Sequence, residues 1–110
     1  MPLDINERDW KRFKEVHAIA KERFAQKCLE QVQYHLTDKT KSAAERFFEI
    51  RQAVLVREKE RAGLFDDFRR STALMQIVMM RAENLITDEE MLRFSDELRE
   101  RVAQIMKTRD

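Results

Sequence analysis

Apolar residues return at steps of three and four over most of this chain, the period of helices with one buried face. The first such stretch runs from about Glu7 to His35. Trp10, Phe13, His17, Ala20, Phe24, Cys28, Val32 and His35 fall on one stripe, with Val16 and Ile19 off it. Asn6 is placed to cap the helix, and Glu7 and Asp9 suit the positive end of its dipole. Lys21 falls near the stripe, where its stem can lie on apolar surface while the charge stays in water. At 1.5 Å per residue the predicted helix is about 43 Å long, which is long for a 110-residue chain.

After the polar run Thr37 to Lys41, Ser42 and Glu45 have the spacing of a capping box. A second helix is predicted from there to about Ala62, with Ala44, Phe47, Phe48, Val54 and Leu55 as its stripe and Ile50 at the edge. Gly63 is expected to stop it. The third stretch, Ser71 to Ile86, is the most apolar in the chain. Leu74, Ile77 and Val78 lie at helical spacing, and Met75, Met79 and Met80 extend the apolar surface round the sides. A helix apolar on nearly all sides has to be covered by neighbours, so a helix over about 67–84, ended by Asn84, is predicted to be the centre of the fold. Thr87 and Glu90 form a second capping box. Met91, Phe94, Leu98, Val102 and Ile105 keep helical spacing beyond it, read as a short helix over 88–93 and another over 96–107, with one continuous helix as the alternative. The fold class predicted is all-α: one domain over 1–110, a bundle of four or five helices.

Composition agrees. One Gly and one Pro are too few for a loop-rich fold, and 43% hydrophobic content is enough to form a core despite 39% charged residues. The 22 basic and 21 acidic residues leave a net charge of +1, which removes the simplest argument for nucleic acid or anionic membrane as partner. A single cysteine excludes an internal disulfide and fits a reducing compartment. The N-terminal residues lack a basic start followed by an apolar run, and no apolar stretch approaches the ~20 residues of a membrane span. A cytoplasmic location is therefore expected.

Candidate chemistry is sparse. His17, Cys28 and His35 share a face but are separated by about 16 and 27 Å along the helix, so they cannot converge on one metal ion. No metal or cofactor is expected, and His17 and Cys28 read as core residues. Asp66 and Asp67 read as helix-start carboxylates. Ser42, Ser71 and Ser95 also sit at helix starts, and no glycine-rich turn is present to expose a nucleophile or cradle phosphate. Arg51 stands inside the apolar stripe of the second helix, which predicts a buried ion pair. Arg57, Lys59, Arg61, Arg69 and Arg70 form the best basic cluster, interrupted by Glu58 and Glu60. The first residues of the helix after Thr87 are Asp88, Glu89 and Glu90, which phosphates would repel.

The functional class expected is a non-enzymatic protein-interaction or regulatory module, self-associating as a homodimer. The alternative is a nucleic-acid-associated protein using the cluster from Arg57 to Arg70. Because the first helix outreaches any cover the shorter helices supply, Trp10, Phe13, Ile19 and Phe24 are the expected interface residues.

Overall fold

The computed structural model describes residues 4–109; the N-terminal expectation about a leader rests partly on residues 1–3, outside that range. Among the described residues the chain is all-helical: α1 Glu7–Leu36, α2 Ala43–Phe65, α3 Ala73–Ala82, α4 Asp88–Met91 and α5 Asp96–Arg109. The predicted caps form. Asn6 Oδ1 accepts from the Asp9 N–H at 2.7 Å, and both capping boxes, Ser42 with Glu45 and Thr87 with Glu90, are complete. Asn84 adopts φ 59°, the left-handed conformation that ends α3.

α1 and α2 form a long antiparallel hairpin, and α3 to α5 pack against its open end only. The molecule is accordingly elongated, 54 × 27 × 24 Å, with a radius of gyration of 16.8 Å. A compact chain of this length would have a radius near 13 Å. The core lies at the open end of the hairpin. Phe13, Val16, Ala20 and Phe24 of α1 meet Leu64 and Phe65 of α2, Leu74, Ile77, Val78 and Met80 of α3, and Leu98 and Val102 of α5. Ile77 and Val78 are fully buried, as expected of the central helix, though Met75 remains partly exposed. Val16, off the predicted stripe, is fully buried as well, because this half of α1 is enclosed by more than one neighbour.

Two boundaries differ markedly from expectation. α2 runs through Gly63 to Phe65, whose burial with that of Leu64 rewards one more turn. α3 starts at Ala73 instead of about 67. The Thr72 hydroxyl donates to the Asp67 carbonyl at 2.7 Å, and the Gln76 amide donates to the same carbonyl, so residues 66–72 form turns. Beyond Thr87 there are two helices, as read from the sequence. Asp9, buried in α1, accepts from the Ser95 N–H at 2.8 Å and from its hydroxyl at 2.6 Å, while the Ser95 hydroxyl accepts from Leu98 N–H. Ser95 thus starts α5 from a position fixed by α1.

Arginines fasten the connections. Arg23 donates to the Leu85 carbonyl at 2.5 Å and grips the Glu90 carboxylate with both amino groups, at 2.8 and 3.1 Å. Arg81 donates to the Ile86 carbonyl and pairs with Asp88. Arg70 donates to the Ile5 carbonyl and pairs with Glu7.

Candidate interaction surface

Past the reach of α3 to α5, the hairpin has only two layers. Its two helices are joined there mainly by polar contacts. Arg57 Nε donates to Gln31 Oε1 at 2.8 Å, and Arg46 donates to the Leu36 carbonyl at 2.6 Å, satisfying a free carbonyl at the end of α1. Glu49 pairs with Lys41 and has a carboxylate oxygen 3.3 Å from His35 Nδ1. Ala53 is the buried apolar contact at this level.

Val32 and Ile50 are half-buried in this half, but its larger apolar residues on α2 are left outside. Phe47 is 71% exposed, Phe48 58%, and Val54 and Leu55 about half. These four residues and Arg51 occupy one side of α2, the side turned away from the core-facing positions Ala53 and Leu64 by 100° per residue. Leu29 and Leu36 of α1 are exposed as well. The bare face continues into a groove between α1 and α2 of about 690 Å³, lined by Ala25, Cys28, Leu29, Val32 and Val54, with Lys21, Glu22, Glu58 and Arg61 among its charged borders. Burial pushes the Cys28 thiol above its ordinary range, so the groove holds a neutral thiol, not a thiolate nucleophile.

The residues expected to form an interface lie elsewhere. Phe13 and Phe24 are core residues, 0 and 6% exposed. Trp10 and Ile19 are half-buried, and Trp10 packs on Phe68 with ring centres 5.1 Å apart. α1 leaves apolar surface uncovered, as its length predicts, but not at those four residues: α3 to α5 and the Phe65–Phe68 corner cover the first half of α1 and leave the second half open. Arg51 requires a similar correction. It is exposed, with no ion pair among the described residues. Its stripe is the one that nothing in the chain covers, so its charge stays in water and needs no partner within the chain.

The basic cluster is compensated from within. Arg57 pairs with Glu60, Arg61 with Glu58 and Asp66, Arg69 with Asp67, and Arg70 with Glu7, leaving Lys59 the one member without an acid partner among the described residues. Asp66 and Asp67 face these arginines instead of capping α3. His17 is the packed core residue read from the sequence. Its Nε2 lies 3.3 Å from the Phe65 carbonyl, which can only accept, so that nitrogen carries the proton. Its ring stacks on Phe68 at 4.2 Å. Burial lowers its pKa, against a smaller opposing effect of the Phe65 hydrogen bond, and holds the ring neutral.

Sequence reasoning missed Asp9 and Arg23, which tie α1 to the start of α5 and to α4. Both sit on a helix whose polar residues look uniformly solvated, and only the arrival of a distant element distinguishes them. Among the described residues no three His, Cys, Asp or Glu side chains gather as a metal site, and no helix is long and apolar enough to cross a membrane. No known protein family, characterised protein or solved structure matches this chain.

Proposed function

We propose that this protein is a non-enzymatic helical protein-interaction or regulatory module whose working surface is the bare half of the α1–α2 hairpin. One observation carries the reading: a line of apolar side chains, Phe47, Phe48, Val54 and Leu55, stands exposed on a helix that polar clasps hold in place. Contiguous exposed apolar surface with a polar border marks binding surfaces in soluble proteins. A helix pair with a groove alongside is a ready receptor for a further helix laid along it. The nucleic-acid alternative has less to rest on, since four of the five basic residues face carboxylates of the same chain.

The test is affinity capture from the native host with the wild-type chain and with a Phe47→Ser/Phe48→Ser double variant, after circular dichroism has shown equal helix content. Bound species, including further copies of the chain, are expected to fall away from the variant. An identical set of bound species on both would sink the reading.

A further inference from the structure

The uncovered side of α2 carries a charge pattern that its own chain uses only in part. Arg51 and Glu58 are seven residues apart, two helical turns or about 10 Å, and so share a face. Both are exposed. Arg51 has no acid partner among the described residues, while Glu58 touches Arg61 at 2.7 Å. Between them lie Val54 and Leu55, and each charge stands three residues outside that apolar pair. The midpoint of this pattern is also close to the midpoint of α2.

We propose that two copies of this chain pair through α2, antiparallel about a two-fold axis between Val54 and Leu55, so that two hairpins form one four-helix bundle. This rests on the interaction reading above and names the partner. A two-fold axis places residues equidistant from it opposite one another. Arg51 of each copy then faces Glu58 of the other, twice in each dimer. A parallel pairing would set Arg51 against Arg51 and Glu58 against Glu58, and like charges at an interface are strongly disfavoured. The hydrophobic pattern fits the same register. Phe47 is brought over Ala62, a small and half-buried residue with room above it. Phe48 is brought over the guanidinium of Arg61, which accepts an aromatic face.

The surface is of adequate size. Phe47, Phe48, Val54 and Leu55, with Leu29 in the groove and Leu36 at the end of α1, expose about 500–600 Å² of apolar side chain. A standard interface buries about 800 Å² on each partner, and the charged border supplies the remainder. The ends of the two α2 helices coincide in this register, so the long bare half of each hairpin is covered along its length while the α3–α5 ends point outward.

Sedimentation equilibrium from about 1 to about 200 μM tests this. The wild-type mass should rise with concentration toward twice the 13.3 kDa of the chain. Arg51→Glu and Glu58→Arg, each alone, should weaken association about tenfold or more, and the double variant Arg51→Glu/Glu58→Arg should recover it to within about threefold. Both positions are exposed, so circular dichroism should be unchanged in all three. A wild-type mass that stays at one chain throughout overturns self-pairing, while the broader interaction reading still stands or falls on the capture experiment. A dimer indifferent to both single reversals, or one that the double variant fails to restore, overturns this interface.

Discussion

The two halves of the α1–α2 hairpin are built from similar sequence and meet opposite fates. The α1 stripe keeps helical spacing through both halves, and both ends of α2 carry aromatic residues. At the open end Phe65 is 3% exposed, whereas at the closed end Phe47 is 71% exposed. The difference lies in what reaches each half. α3 to α5 are short and are tethered at the open end by Asp9 to Ser95, Arg23 to Glu90 and Arg70 to Ile5. Apolar residues they reach become core, and those beyond them remain surface. Amphipathic pattern states that a face seeks cover. It does not state whether the cover belongs to the same chain.

The sharpest way to break this comparison is to truncate one residue in each half. Ile77→Ala should cost about 2–5 kcal/mol, as cavity-forming changes in a packed core do. Phe48→Ala should change stability by less than about 0.5 kcal/mol at dilute concentration, as for surface positions. Urea melts of the two variants measure both. Near-equal losses would mean that the closed half is not bare.

Next in size is the tether of α5. Asp9→Ala removes a buried carboxylate from the Ser95 N–H and hydroxyl and should cost about 1.5–3 kcal/mol, the range for hydrogen bonds to charged groups. Hydrogen exchange should accelerate in α5 and leave the closed end of the hairpin unaffected. Uniform acceleration along the chain would show that Asp9 is not a local fastening.

Acid should act on the open half as well. The Arg23 hydrogen bonds, helped by those from Thr87, hold Glu90 down to about 2 from its ordinary 4.5. The unfolded chain therefore binds the Glu90 proton more readily. This contribution is complete above about pH 4.5 and is lost as pH falls toward 2. Since Arg23 is about a third exposed, solvent screening reduces the contribution to about 1–2 kcal/mol. The stability gap between wild type and Arg23→Met should narrow over that window. His17 adds a loss at milder pH. Its folded pKa is below 6.5, so the unfolded state takes up the proton first and stability declines as pH falls below 6.5. His17→Gln should flatten that part of the profile.

A smaller effect of the opposite sign is expected in the last turns of α2. Gly63 lies inside α2 without positive φ, and a methyl group added there would meet nothing within 4 Å. Gly63→Ala should raise stability by about 0.5–1 kcal/mol through helix propensity. A loss in thermal melts would reveal a constraint at this turn that neither half of the comparison supplies.

Much of the fold is legible in the residues themselves because it depends on neighbours in sequence. The capping boxes at Ser42 and Thr87, the left-handed Asn84, the extent of α1 and the burial of Ile77 and Val78 all follow from local spacing and side-chain chemistry. The partition between core and surface is not local. Phe13 and Phe47 occupy equally good stripe positions, yet one is fully buried and the other 71% exposed. Arg51 reads as a buried ion pair only while its stripe is assumed to be covered, and it stands in water because α3 to α5 stop short of it. Asp9 and Arg23 look like solvated helix residues until segments more than sixty positions away arrive beside them. Helical identity is set by interactions within a few residues, which a sequence displays directly. The choice of which stripe is covered is set by where the chain returns, and only the tertiary structure decides that.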